Sequence, residues 1–322
     1  MRVTLQPSGH NLEVRPAESI LEAARRLGFD APQSCRNGNC HICSAQLLEG
    51  QVRQSGQTLK SGEVLTCLAS PLENCSIQWE GVLAPGELPV HSVACQVSAC
   101  DDLGGDVWRL RLRAPAGKSL RYHAGQYLLL VRPDGDMSAF SIASAPHEGR
   151  DLELHILIRE PGTRALIEHI RKEGIARVQA PMGDCHLGQL PDRPLVLIAA
   201  GTGLSQMQSM VQHCLEQRFQ HAIHLYWGVR HGNDLYQAAH WETWQQQDNL
   251  ILHKVISDHP QWPGRQGVLH EAIAADLGDL SQYEFYVSGS PPMVYATFDA
   301  LVAKGMPPSH MHADAFAYAP RD

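Results

Sequence analysis

Residues 34–43 read SCRNGNCHIC, so Cys35, Cys40 and Cys43 share one short loop with a C-x4-C-x2-C spacing. Cys67 supplies a fourth thiol further along the chain. Thiolates bind soft metals, and three in one loop plus one far away is a ligand pattern for a [2Fe–2S] cluster. Zinc is the competing occupant, but structural zinc sites pair their cysteines as two close knuckles. The loop composition suits a cluster as well. Cluster sulfurs need backbone N–H groups aimed at them, and Asn37, Gly38 and Asn39 tolerate the left-handed backbone this requires. The chemistry expected here is one-electron transfer.

The chain holds nine cysteines in 322 residues. An odd count, and an N-terminus (MRVTLQPSGH) without the apolar core of a secretory signal, argue against a disulfide framework and for the cytoplasm. Cys75, Cys95, Cys100, Cys185 and Cys214 are expected to be small buried hydrophobes. Hydrophobic and charged contents of 43% and 19% are those of an ordinary globular protein of two or three domains. No apolar run reaches the ~18 residues of a membrane helix, so no membrane partner is expected. The net charge of −8 with no basic block argues against nucleic acid.

Three textures divide the chain, and a multidomain fold is expected. Residues 1–83 begin with the alternating runs RVTLQ and NLEVRP around a turn at Ser8-Gly9. Ser19 with Glu22 reads as a capping box opening a helix, whose face is Ile20, Leu21, Ala24 and Leu27 and whose stop is Gly28. AQLLEGQVR reads as a strand after the cysteine loop, and residues 84–90 as a linker. Residues 91–188 are mostly strands (QVSAC, VWRLRLRA, QYLLLVRP, AFSIAS, LELHILIR) with one helix from about Thr163 to Glu173, which suggests an antiparallel β-barrel. Residues 192–322 alternate strands (LVLIAA, HAIHLYWG, LILHKVIS, EFYVSGS) with helical stretches, the pattern of an α/β parallel sheet.

These motifs, in this order, carry a resemblance over nearly the whole chain. CRNGNCHIC resembles the signature of plant-type ferredoxin domains, whose β-grasp (α+β) fold carries a [2Fe–2S] cluster; His41 stands where many members have a small residue. His41 either shields or bonds a cluster sulfur or points to water. GQY at 125–127 and AFSIAS at 139–144 resemble the flavin strands of the ferredoxin–NADP reductase superfamily, with its Arg-x-Tyr/Phe-Ser pattern. The resemblance implies FAD held by Tyr127, Ser138, Ala139, Phe140, Ser141 and Ile142, with the Ser141 hydroxyl near the reactive ring nitrogen. Ser138 replaces the phosphate-binding arginine, and Arg132, Arg159 and Arg164 are candidate substitutes. LELHILIREPGT resembles the second flavin segment: His155 and Ile156 lie along the ring, and Gly162 and Thr163 open a helix able to hold pyrophosphate.

The last third resembles the same superfamily. Gly201, Thr202 and Gly203 match its nucleotide turn, with Gln206 for proline. LYWGVRHGNDLY, with Gly228 and Arg230, resembles the loop beside the nucleotide. VSGSPPMV resembles the segment at the nicotinamide, with Ser288 for the common cysteine and with Gly289, Pro291 and Met293. HADAFAYA resembles the tail that approaches the flavin, implying contacts from Asp314 and Phe316; a buried helix cap would explain Asp314 equally well. Ser141, Ser288, Asp314 and Phe316 are thus the implied catalytic residues. Asp258, placed to repel a 2′-phosphate, favours NADH, while Arg230 and Arg265 keep NADPH open.

The domain order is similar to the reductase components of aromatic-ring oxygenases and to CDP-6-deoxy-3,4-glucoseen reductases. It implies an NAD(P)H-dependent oxidoreductase that passes electrons from NADH through FAD and the cluster to a redox partner protein such as an oxygenase or dehydrase. Two alternatives stand beside this reading. One is reduction of free flavin, which the loss of an arginine at 138 would suit. The other is a non-catalytic iron–sulfur interaction protein with a decayed flavin site.

Overall fold

Alternation of apolar and polar residues makes RVTLQ a strand with Val3 and Leu5 fully buried, and the rest of the first unit is built around it. The computed structural model describes residues 1–117, 120–236, 240–259 and 261–321. These fall into two units, Met1–Pro89 and Val90–Asp322.

The first unit runs β1 (Arg2–Gln6), β2 (Asn11–Glu13), α1 (Ile20–Arg26), β3 (Ser44–Glu49), β4 (Val52–Gln54), β5 (Gln57–Leu59), β6 (Gly62–Leu65), β7 (Ala69–Pro71) and β8 (Cys75–Gln78). One mixed sheet has the order β2-β1-β8-β3-β6, with β1 and β8 parallel; a small sheet β5-β4-β7 stands apart. This is a β-grasp. The capping box forms as expected: Ser19 Oγ accepts from the Glu22 N–H at 3.2 Å, and the Glu22 carboxylate accepts from the Ser19 N–H at 2.9 Å. Such a cap stabilises a helix by about 1 kcal/mol. It fixes where α1 lays Ile20, Leu21, Ala23 and Ala24 on Val3, Leu5, Leu47 and Ile77. AQLLEGQVR, expected as one strand, is two. Gly50 turns the chain at φ +86°, and a Cβ there would lie 2.6 Å from Cys75 Cβ and 2.7 Å from the Asn74 carbonyl oxygen.

The second unit starts with β9 (His91–Asp102), β10 (Val107–Arg113), β11 (Tyr127–Val131), β12 (Met137–Ser141), β13 (Asp151–Leu157), α2 (Pro161–Glu173) and β14 (Ile175–Met182). The strands form an antiparallel sheet in the order β12-β11-β14-β9-β10-β13. A bridge between Ile142 and Leu154 joins its two edges, so the barrel is nearly closed. Leu110, Leu128, Leu130, Leu154, Ile156 and Val178 fill it, together with Leu166, Ile167 and Ile170 of α2. Helix α2 starts two residues before the expected Thr163, because Pro161 occupies a first-turn position where no N–H is needed.

There follow β15 (Leu195–Ala200), α3 (Leu204–Glu216), β16 (Ile223–Val229), α4 (Trp241–Trp244), β17 (Leu250–Ile256), β18 (Arg265–Gln266), α5 (Leu269–Asp276), β19 (Glu284–Ser288), α6 (Pro291–Val302), β20 (Met311–His312) and α7 (Ala315–Tyr318). The sheet is parallel, in the order β18-β17-β16-β15-β19-β20. Both faces are covered. Leu195, Leu197 and Ala199 pack with Met207, Met210 and Val211 of α3, while Val196 and Ile198 pack with Ile273 of α5 and Val294 and Leu301 of α6. That is why LVLIAA is apolar throughout rather than alternating. Among the described residues no helix is long and apolar enough to cross a membrane.

Candidate functional site

In the first unit the cysteine loop closes on itself. The Cys40 N–H donates to Cys35 Sγ at 3.3 Å, and the Cys35 N–H donates to Cys40 Sγ at 3.5 Å. The Asn37 N–H, with those of Cys40 and Asn39, holds the Cys35 thiol down at about 6. Burial and the neighbouring Cys43 push the Cys67 thiol up to about 11, although the Gly38 N–H points at it. The thiols therefore associate as two pairs, Cys35 with Cys40 and Cys43 with Cys67. Among the described residues no three His, Cys, Asp or Glu side chains converge on a single point as they would on one ion. Four thiols with backbone N–H groups aimed at their sulfurs fit a cluster whose sulfurs accept such bonds.

Left-handed backbone does occur in the loop, but at Arg36, Gly38 and His41, not at the asparagines expected to supply it. Asn37 instead caps the turn, its Oδ1 accepting from the Asn39 N–H at 3.2 Å. His41 faces water and meets Glu63 at 3.2 Å. Thr66 anchors the distant ligand. Its N–H and its hydroxyl both donate to the Cys43 carbonyl, at 3.1 and 2.9 Å, and its own carbonyl accepts from Leu21 at the start of α1.

In the second unit two adjoining clefts open at the carboxyl ends of the parallel strands, where the strand order reverses between β15 and β19. The smaller, about 350 Å³, has Tyr127, Ala139, Phe140 and Ser141 of the barrel on one side. On the other are Ser288, Gly289, Gln206, Asp314 and Tyr318. The larger, about 590 Å³, is lined by Gly201, Thr202, Gly228, Arg230, Ser257, His270 and Met293, among others. Gly203 lies where β15 turns into α3; a Cβ on it would sit 2.3 Å from the Ser288 carbonyl oxygen. Only glycine lets the nucleotide turn and the end of β19 approach so closely.

Comparison with known proteins identifies two domain types. Residues 3–72 match the 2Fe-2S iron-sulfur cluster binding domain, and residues 197–299 match the oxidoreductase NAD-binding domain. Protein RfbI of Salmonella typhimurium is 30% identical over 98% of this chain and 96% of its own. The ferredoxin–NAD(P)(+) reductase component of the naphthalene 1,2-dioxygenase/salicylate 5-hydroxylase systems of a Ralstonia species is 30% identical over 98% of both chains. This chain belongs to the ferredoxin–NAD(P)(+) reductase component family. A solved ferredoxin reductase in carbazole 1,9a-dioxygenase superposes on the reductase with a TM-score of 0.64, at 25% identity over 98% of each chain.

Within the reductase, the smaller cleft gathers Ser141, Ser288 and Asp314, three of the four residues expected to be catalytic. Phe316 is the exception. It turns away to pack on Tyr295 and Phe298, at ring-centroid distances of 5.4 and 5.5 Å. The reason is helical phase: in the short α7, Ala315 and Tyr318 lie one turn apart and share the cleft face, which leaves Phe316 on the other. Tyr318 was readable only from that spacing. Asp314 stands at the N-cap position of α7, but its side chain does no capping. Its oxygens accept from the Cys185 N–H at 3.3 Å and from Gln206 at 3.0 Å. Burial pushes its carboxyl up to about 6 against these donors.

The flavin-strand residues divide. Ile142 and Ile156 are buried in the barrel core, not in the cleft. His155 is buried too, its ring nitrogens meeting the Tyr236 hydroxyl and Glu153 Oε1, each at 3.0 Å. Burial pushes the Glu153 carboxyl up, but His155 and Arg111 more than offset this and hold it down at about 2. A carboxyl depressed in this way adds stability above its usual pKa of 4.5 and loses it as pH falls toward 2. Glu153→Gln should therefore flatten the loss of stability between pH 4.5 and 2, read by urea denaturation; an unchanged slope would mean that the pair contributes nothing.

Of the candidate arginines, Arg159 is held by Asp106 and Asp234, and Arg164 donates to the Ile158 carbonyl. Arg132, just after β11, is paired with Asp134 at 3.1 Å, and the same guanidinium nitrogen lies 3.7 Å from where a Cβ on Gly162 would stand, in the first turn of α2. Ser138 lies on the strand paired with β11, two residues back from Arg132, opposite Leu130. Gly162 and Thr163 have free N–H groups there because the first helical bond of α2 is made by Arg164 to Glu160. Asp258 does not line the larger cleft. Its carbonyl takes the His231 ring at 2.6 Å, and the preceding Ser257 faces the cleft instead. Arg265 is paired with Asp276, away from the nucleotide site. Pro291 serves as a first-turn proline of α6, and its neighbour Ser290 lines the cleft.

Proposed function

We propose that this reductase takes electrons from NADH, passes them through FAD and its [2Fe–2S] cluster, and delivers them in the cytoplasm to a partner protein, an oxygenase or dehydrase component. The supporting observation is the cleft in which barrel residues Tyr127, Phe140 and Ser141 face Ser288, Gly289 and Asp314, beside a second cleft of about 590 Å³. The working domains are 1–83, 91–188 and 192–322. A bound flavin would supply conversion between a hydride's electron pair and single electrons, and a bound cluster would supply one-electron transfer to the partner.

The chain's own residues position and shield. Tyr127 and Phe140 line the cleft where they would wall a flavin ring, and Ser141 places a hydroxyl there. Ser288 and Gly289 give the nicotinamide a small, polar floor, and Tyr318 covers the opening. Cys35, Cys40, Cys43 and Cys67 hold the cluster. Gly201, Thr202 and the start of α3 receive the nucleotide phosphates, while Ser257 and Arg230 stand at the ribose end.

Arg132 supplies the guanidinium missing at 138, and with the Gly162 and Thr163 N–H groups it holds the flavin pyrophosphate. A charge-assisted bond of this kind is worth roughly 1.5–3 kcal/mol, so Arg132→Ala should weaken FAD binding about 10- to 100-fold. Flavin retained through gel filtration and reconstitution titrations read this directly; unchanged affinity would remove Arg132 from the site.

The whole reading is tested by the visible spectrum of anaerobic protein before and after NADH. Flavin and cluster bands should both bleach. Cluster bands that do not respond would overturn the assigned electron path.

A further inference from the structure

The one buried amide in the smaller cleft has a bonding pattern that nothing in its sequence position announces. Gln206, in the first turn of α3, is only 2% exposed. Its Nε2 lies 2.8 Å from the Gly125 carbonyl oxygen, 3.1 Å from that of Cys185 and 3.0 Å from Asp314 Oδ2. All three neighbours are acceptors, so the amide has one tenable orientation, nitrogen toward them. Three segments are thereby tied to the nucleotide turn: the entry to β11, the loop after β14 and the chain end at α7.

The surroundings are shaped for this contact. Gly125 has φ +104°, and a Cβ there would lie 2.8 Å from the Cys185 oxygen that Gln206 uses. Gly183 has φ +91°, and a Cβ there would lie 2.8 Å from Asp314 Oδ1. The titratable groups facing Asp314 are Tyr127 from β11, Asp184 and the Cys185 thiol from the loop after β14, and Tyr318 from α7. None is a cation. A buried carboxylate in such company is kept ionised by hydrogen-bond donors alone, here the Cys185 N–H and Gln206.

We propose that Gln206 is a positioning residue whose amide fixes the orientation of Asp314 and keeps it an anion in the flavin–nicotinamide cleft. The proposal rests on the reading of that cleft given above. An ionised Asp314 only accepts hydrogen bonds; a protonated one would present a donor to whatever occupies the cleft. Gln206 thus sets the hydrogen-bonding polarity of the site, while itself acting only through Asp314.

The test is a carboxyl titration of the full-length protein carrying 13C at aspartate Cγ, with the Asp314 resonance assigned by its loss in Asp314→Asn. Gln206→Met removes the donor at similar size. It should raise the Asp314 midpoint by about one unit or more, a tenfold change in proton affinity, as expected for a lost charge-assisted bond. Gln206→Lys offers three N–H donors to the same three acceptors and should lower the midpoint below that of the wild type. The pH profile of flavin bleaching by NADH should move with the titration in each variant. Midpoints in both variants equal to the wild type's would overturn the proposal, and either variant suffices if the other does not fold. The carboxyl titration is read whether or not NADH bleaches the flavin, so failure of the cleft assignment shows separately, as absent bleaching.

Discussion

Cys67→Ser is expected to abolish electron delivery to a one-electron protein acceptor, by at least ~100-fold, while flavin reduction by NADH continues. Of the four candidate ligands, Cys67 depends most on the fold. The other three share one loop, whereas Cys67 reaches its pair partner Cys43 only because Thr66 donates twice to the Cys43 carbonyl and accepts from Leu21 of α1. A serine hydroxyl is a poor ligand for iron at neutral pH, so one pair is left incomplete. The visible and electron-paramagnetic-resonance signatures of the cluster should fall with acceptor reduction, and stopped-flow bleaching of the flavin should not. A variant that keeps full cluster content and acceptor activity would mean that Cys67 is not a ligand. Loss of flavin bleaching as well would mean that Cys67 is needed for more than the cluster.

The second large effect is expected at Gly203. The 2.3 Å between its would-be Cβ and the Ser288 carbonyl oxygen is contact with backbone, and a second atom of that peptide, the Ser288 carbonyl carbon, lies at 2.9 Å. No rotamer change can relieve it. Gly203→Ala must either part β15 from β19, in the middle of the parallel sheet, or displace Ser288 from the cleft. The cost should be ~3 kcal/mol or more in stability, with a KM for NADH raised at least about tenfold in any protein that folds. Gly201→Ala is the control two residues away. Gly201 has φ +55° but open space around its Cβ position, so alanine there should cost only the ~1–2 kcal/mol of left-handed backbone. Urea denaturation of both variants distinguishes crowding from conformation. Equal, small losses would show that the close approach is not required.

Much of this protein is legible one residue at a time. The candidate cluster ligands are marked by residue type and spacing, because a two-iron cluster accepts few side chains besides thiolates. The capping box at Ser19 and Glu22 is local by nature and forms where it reads. The parallel sheet shows in LVLIAA, since a strand covered on both faces has no solvent side to mark with polar residues. Tyr127, Ser141 and Ser288 share a cleft as their motifs imply.

What the tertiary structure alone decided is which side chains of remote segments meet. Spacing cannot tell that Arg132 reaches the start of α2, or that Arg159 and Arg265 are committed to Asp234 and Asp276. AQLLEGQVR breaks at Gly50, which turns at positive φ where Cys75 of another strand leaves no room for a Cβ. Phe316 and Tyr318 exchange roles through the phase of a four-residue helix whose start no sequence signal marks. Gln206 reads as a departure from a motif until the Gly125 and Cys185 carbonyls and Asp314 are seen around its nitrogen. A hydrogen bond depends on distances of a few tenths of an ångström between residues a hundred positions apart, and only packing of the finished fold sets those.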